Sequence, residues 1–239
     1  VEPKINRWLV TSAVAPVYFN SASNGSPIDS EFESNKKEYE NNLTFGVGIQ
    51  YVVSKKISFR SGLNQVSLGY NTRDILYQAS LSRTSMDNLS SPNNGASIVV
   101  MNKENGQTNS FQEVSNSDMN EGVLNQQMGY LEMPLELSYK LLDRKFGIQF
   151  IGGISTLFLT ENQVVVRSPG YEFDLGEANN LNQVHFSSNV GIGFNYTFWK
   201  SFQANFEPMF KYQLNTFSND SGNFKPYFIG LYSGISYRF

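Results

Sequence analysis

The last thirteen residues, Tyr227 to Phe239, constrain this chain more than any other stretch. Taken alternately, Tyr227, Ile229, Leu231, Ser233, Ile235, Tyr237 and Phe239 form one face, and Phe228, Gly230, Tyr232, Gly234, Ser236 and Arg238 form the other. The first face is apolar with aromatics at both ends. The second is small and polar and holds the only charge. A period of two defines a strand, and two unlike faces define a strand between two unlike solvents. The apolar face must therefore lie on a core or be presented to lipid.

Composition decides little between these by itself. Mean hydropathy is −0.34, and no run approaches the ~20 apolar residues of a membrane helix. A β-barrel escapes that test, because half of each strand faces a polar interior and the loops are polar. The 19 Phe and 13 Tyr, against 2 Trp, suit aromatic girdles as well as a β core. Cysteine is absent, which excludes disulfides and thiolate metal sites. A net charge of −3 argues against a nucleic-acid partner, which would want a basic face. The first residue is Val rather than Met, so either a leader was removed or the chain is a piece of a longer protein.

Seven further strands follow the same rule. Residues 1–6 are expected as a periplasmic lead-in to the first strand, Trp8 to Phe19, where Ala13, Ala15, Val17 and Phe19 share a face. The alternation blurs near Thr11 and Ser12, leaving its register open. After a polar loop at 20–42, Leu43 to Val53 sets Leu43, Phe45, Val47, Ile49, Tyr51 and Val53 against Thr44, Gly46, Gly48, Gln50 and Val52. Ser54-Lys55-Lys56 turns the chain into Ile57 to Leu63. That strand runs on towards Tyr70 with its apolar parity switched near Val66, as a bulge or emergence from the membrane would produce. A long loop is expected at 71–127. Gly129 to Leu141, the turn Asp143-Arg144-Lys145 and Phe146 to Leu159 restore the rhythm, followed by a loop at 160–183. Val184 to Phe198, the turn Trp199-Lys200-Ser201, a strand over Phe202 to Tyr212 and a loop at 215–226 lead to the final strand. The reading is an all-β, eight-stranded antiparallel up-and-down barrel in one domain, 1–239. Connections alternate long and short, with both termini at the short-turn rim, as in a transmembrane barrel with long extracellular loops.

The apolar faces of the second, fourth, sixth, seventh and eighth strands carry no Asp, Glu, Lys or Arg. The opposite faces hold Glu132, Glu136, Lys140, Glu207, Lys211 and Arg238, joined by Arg60 from the third strand. A soluble barrel would also segregate charge, with the faces reversed, so parity cannot choose between the two. Loop asymmetry favours the membrane. A Lys or Arg facing lipid at mid-membrane would cost roughly 2–4 kcal/mol, whereas inside the barrel these seven can pair. They form a candidate lumenal charge network, read as structural filling because eight strands leave no open channel.

The ending on Tyr237 and Phe239 resembles the C-terminal strand of bacterial outer-membrane β-barrels, whose terminal Phe takes part in recognition by the barrel assembly machinery. Tyr130-Leu131-Glu132-Met133-Pro134-Leu135 is similar to an element of small outer-membrane barrels of the Bacteroidota, the PorT-like or OmpA-like type. More narrowly, Gly25-Ser-Pro-Ile-Asp29, Phe45-Gly-Val-Gly-Ile49 with Val53-Ser-Lys-Lys56, and Ser61-Gly-Leu-Asn64 with Gly69-Tyr-Asn-Thr72 resemble the C-terminal barrel of dual membrane-spanning anti-sigma factors. That resemblance implies an outer-membrane anchor and sensor in envelope signalling. The outer loops would meet lipopolysaccharide or another envelope protein, and the termini would be periplasmic. A stand-alone structural or accessory barrel serving secretion or outer-membrane biogenesis is the alternative. His185-Phe186-Ser187 is similar to the His-x-Ser element of lipid A deacylases, but no Asp or Glu occurs between His185 and Glu207 to complete the family's triad, so this enzyme reading is the weakest. No HExxH, GxGxxG, P-loop or EF-hand sequence occurs, and neither a cofactor nor catalysis is expected.

Overall fold

The structure, a computed structural model, describes residues 7–80, 86–90, 97–104, 119–218 and 222–239. The expected lead-in at 1–6 lies outside these. In chain order the strands are β1 (Trp8–Ser21), β2 (Lys37–Tyr39), β3 (Asn41–Val52), β4 (Ile57–Ser80), β5 (Leu89–Ser90), β6 (Ser97–Asn102), β7 (Asn120–Asp143), β8 (Phe146–Ser168), β9 (Tyr171–Ala178), β10 (Val184–Thr197), β11 (Phe202–Gln213) and β12 (Pro226–Arg238).

Eight of them, β1, β3, β4, β7, β8, β10, β11 and β12, pair antiparallel with their ring neighbours. The ring closes where β12 meets β1, from Leu9↔Arg238 to Ser21↔Pro226. This is the expected antiparallel outer-membrane barrel. Closure removes both sheet edges, and every strand finds its backbone partners within the wall. The remaining strands decorate one end: β2 and β6 pair with β4, β9 with β8, and β5 with β9.

Side-chain exposure separates the two readings that parity left open. Leu43, Val47, Leu135, Val190 and Ile235 are 56–59% exposed on the outer wall, while Glu132 and Lys211 are 0% and 2% exposed. Exposed aliphatics around buried charges invert a soluble protein and suit a wall whose outside is lipid. In β1 the outward set is Trp8, Val10, Ser12, Val14, Pro16 and Tyr18, so Ala13, Ala15, Val17 and Phe19 point into the barrel.

The expected loops are shorter than the sequence suggested. β4 and β7 run 24 residues and β8 runs 23, about twice the 9–11 needed to span a bilayer. Positions 71–80, 120–127 and 160–168, expected in loops, are strand, and β9 folds back on β8. The parity switch in β4 has a simple cause. The backbone keeps its register past Val66, with the first irregularity between Thr72 and Ile75. Val66, Leu68 and Tyr70 are buried inside the barrel, because the strand has left the lipid and its outer face now meets water.

Above the lipid the interior therefore becomes a conventional apolar core. Val17, Phe19, Tyr70, Leu124 and Phe228 from the wall meet Ile28, Phe32 and Phe224 from the connections. A 3-10 turn, Ser30–Phe32, drives Phe32 into this core, with Asp29 Oδ1 accepting from Glu31 N–H at its start (2.8 Å). The strand-rich end is thus capped from inside.

Candidate functional site

Each polar residue of the lumen sits at an inward position of a ring strand, so the wall's two-residue period stacks them in layers. The lower layer is Arg60 of β4. Its guanidinium grips Glu207 of β11 across the barrel with two bonds, Nη1 to Oε1 at 3.1 Å and Nη2 to Oε2 at 2.6 Å. Its Nε lies 3.9 Å from Glu136. Such a fork is the strongest geometry available to an arginine–carboxylate pair.

The next layer is Lys211 of β11 with Glu132 of β7, Nζ to Oε1 at 2.5 Å. Glu132 also accepts from Ser155 Oγ (2.6 Å) and Asn64 Nδ2 (3.0 Å). Asn189 joins the layers by donating to both Glu136 (3.0 Å) and Ser155 Oγ (2.6 Å). Lys211 further stands 5.0 Å from the Tyr232 ring centroid and 5.6 Å from that of Phe228. A cavity of about 70 Å³ beside these charges is walled by Gly46, Gly48, Gly62 and Gly234, space for a few waters and no more.

Five of the seven expected lumenal residues thus meet: Arg60, Glu132, Glu136, Glu207 and Lys211. Lys140 and Arg238 do not join them. Lys140 pairs with Asp143 at the short-turn rim (3.1 Å). Arg238 lines the wide mouth there, a space of about 430 Å³ shared with Arg7, Lys55, Lys56, Lys140 and Asp143. Glu207 lies deeper, held by Arg60. The sequence pointed to the charges but missed the amides and hydroxyl that bridge them. Asn64, Ser155 and Asn189 carried a signal only in their inward parity.

His185 and Ser187 share the inward face of β10 and are both buried. Ser187 Oγ is bonded to Asn189 Oδ1 (2.9 Å), and the His185 ring stands edge-on to Tyr130 with centroids 4.7 Å apart. The pair is not arranged as base and nucleophile. Among the described residues no group of three or more His, Cys, Asp or Glu could hold a metal.

The cap is the second polar construction. Gly25-Ser-Pro-Ile-Asp29 lies at its centre. The Pro27 carbonyl accepts from Asn180 Nδ2 (2.8 Å) and Asn88 Nδ2 (3.0 Å), and Asp29 Oδ2 accepts from Asp87 N–H (3.0 Å). A side chain on Gly25 would run into the Gly222 carbonyl. Lys37 Nζ closes the turn by donating to the Phe32 and Asn35 carbonyls, at 2.5 and 3.0 Å. Burial pushes the Lys37 ammonium down to about 8, with Glu33 pulling back, and burial pushes the nearby Tyr39 phenol up to about 12. Beside it, Glu40, between β2 and β3, accepts from Asn125 Nδ2 (2.9 Å) and Arg167 Nη1 (3.3 Å), tying that link to β7 and β8.

At the other end, Tyr237 and Phe239 stack with centroids 6.2 Å apart, and Phe239 N–H donates to the Trp8 carbonyl (3.2 Å). Tyr237 also packs on Phe202 at 5.1 Å.

A family model described as outer membrane protein beta-barrel domain matches residues 6–239. No curated protein matches the chain. Among solved structures, the outer membrane protein OprG from Pseudomonas aeruginosa is similar at 12% identity and a TM-score of 0.51, covering 97% of this chain and 95% of that one. Neisserial surface protein A is similar at 8% identity and a TM-score of 0.48, with 97% of each chain covered. The likeness to OprG concerns the fold alone.

Proposed function

Because this chain belongs to the outer membrane protein beta-barrel domain family, a bacterial outer-membrane protein by that membership, we propose that it is a membrane anchor and sensor module, the C-terminal domain of an envelope-spanning anti-sigma protein, with both termini periplasmic. One observation carries the anchor reading: the lumen is closed twice. Two layers of paired charge fill it within the lipid, and the apolar core under Ile28 and Phe32 fills it above. A barrel sealed in this way serves by what it holds in the membrane and displays outside it, not by what passes through. The anti-sigma part rests on the resemblance in the first third. Its Gly25–Asp29 element is also the segment on which the cap is built. The displayed end would meet lipopolysaccharide or another envelope protein, and a change in the cap would be the state passed inward.

The test is the natural coding sequence upstream of Val1, followed by capture from membranes of the full-length protein. The expected outcome is a cytosolic domain, one apolar helix of ~20 residues and a periplasmic linker, with a sigma factor co-purifying. A signal peptide alone ahead of Val1 would defeat the envelope-spanning reading and leave a stand-alone accessory barrel.

A further inference from the structure

We propose that the short-turn rim is a binding surface for anionic phospholipid headgroups, whose phosphates settle in the mouth between Arg7, Lys55, Lys56, Lys140 and Arg238. The first argument is charge. The rim segments 7–9, 50–58, 138–148, 195–204 and 235–239 hold eight of the chain's 18 Lys and Arg and a single acidic side chain, Asp143. The strand-rich end is net acidic among the described residues, with Glu31, Glu33, Asp87, Glu172, Asp174 and Glu177 among acids that outnumber its Lys36, Lys37, Arg73, Lys103, Arg167 and Lys225. A field of one sign over a low-dielectric wall concentrates counter-ions.

The second argument is position. Lys56 Nζ stands 5.7 Å from the Tyr139 ring centroid, and Lys145 Nζ stands 5.5 Å from that of Tyr196. Arg7 Nη1 donates to Tyr51 Oη (3.2 Å). Tyr139 and Tyr196 are 43–44% exposed on the outer wall, so the cations resting on them sit at the lipid interface, where headgroup phosphates lie. A soluble polyanion would use the mouth and leave Lys145, which lies outside it, idle; a phospholipid uses both, its chains on the wall and its phosphate over the rim. The third argument is Arg238 itself, which lines the same mouth and whose guanidinium fork matches the oxygens of a phosphate.

Native mass spectrometry of the detergent-purified protein, offered equal amounts of phosphatidylglycerol and phosphatidylcholine with matched chains, reads this directly. The wild type is expected to retain phosphatidylglycerol several-fold over phosphatidylcholine. The triple variant Lys55→Gln/Lys56→Gln/Lys140→Gln should fall to near parity, and Lys103→Gln at the opposite end should behave as wild type. A heat-modifiable gel shift checks that each variant is folded. Independently of any variant, raising salt from about 50 to 500 mM should abolish the preference of the wild type, since exposed charges are then screened within a few ångströms. Equal retention of the two lipids by the wild type, a preference that survives the triple change or high salt, or displacement of lipid by millimolar inorganic phosphate would each overturn the proposal.

Discussion

Lys211 and Glu132 form an ion pair whose side chains are 3% and 0% exposed, well inside a wall surrounded by lipid. Each ion costs several kcal/mol to desolvate, and only good geometry with further hydrogen bonds repays this. Ser155 and Asn64 supply those bonds to Glu132. Lys211→Met should therefore strand a buried carboxylate and cost about 3–5 kcal/mol, while adding Glu132→Gln should recover part of it. Urea unfolding in lipid vesicles, followed by tryptophan fluorescence, measures both. A loss for Lys211→Met no larger than for the exposed Lys103–Glu121 pair would show that water reaches the layer. Lys37 raises the same question outside the lipid. Its folded pKa of about 8 lies below the ordinary 10.5, so the folded cap releases this proton first. Below pH 8 the cap bears the full cost of burying the charge. Between pH 8 and 10.5 its stability rises, because there the unfolded segment still holds the proton. One lysine Cε resonance should titrate near pH 8 by NMR and vanish in Lys37→Gln; a midpoint above 10 would mean a hydrated ammonium.

At the scale of elements, the seam between β12 and β1 matters most, because it is the pairing that turns a sheet into a barrel. Phe239 contributes its last rung, the N–H donated to Trp8, and extends the aromatic run of Phe202 and Tyr237. Deleting Phe239 should lower the folded, heat-modifiable fraction several-fold during assembly into vesicles. The part that does fold should lose only about 1 kcal/mol, the worth of one hydrogen bond. Equal assembly yields would remove the terminal residue from the closing step. Most strands inside the lipid were legible from sequence for a physical reason: two solvents, one on each side, impose the period. It blurs in β1, where Ser12 faces out and Ala13, Ala15, Val17 and Phe19 face in. Where the strands leave the lipid that signal fails. In β4 the apolar residues change sides while the backbone does not, so Val66, Leu68 and Tyr70 read as a fault in register. In β8 the backbone itself slips: Gly129 pairs with Glu161 but Tyr130 with Leu159, so Thr160 is an extra residue and inward parity passes from Leu157 to Val164. β9 then covers Val164, Val165 and Val166, all buried, and an unbroken apolar run replaces the alternation. The charges of the site were legible because parity placed them. Their partners Asn64, Ser155 and Asn189 were not, since a small polar residue facing inward looks the same whether it bridges two carboxylates or merely fills space.

For the whole molecule, the two closures lie in series, and each is expected to block conduction by different physics. The charge layers fill the lumen with side chains held to one another across the barrel, Arg60 to Glu207 and Lys211 to Glu132. The cap fills it with apolar groups that no ion can enter without losing its hydration. Eight strands enclose an interior that side chains fill, and the cavity beside the charges is only about 70 Å³. Removing one closure should therefore not open the barrel. The wild type is expected to be silent in planar bilayers. Arg60→Ser/Glu207→Ser should be silent too, because the core around Phe19, Phe32 and Phe228 still stands above the emptied layer. Gly25→Val, which drives a side chain against the Gly222 carbonyl and loosens the cap from above, should leave the charge layers shut and the membrane equally quiet. Only Gly25→Val combined with the loss of both charge layers, Arg60→Ser/Glu207→Ser together with Lys211→Ser/Glu132→Ser, removes both barriers, and it alone should give irregular openings. Discrete, ion-selective openings from the wild type would instead mean that the charged layers form a conduction path, and the anchor reading would fall with the seal on which it rests.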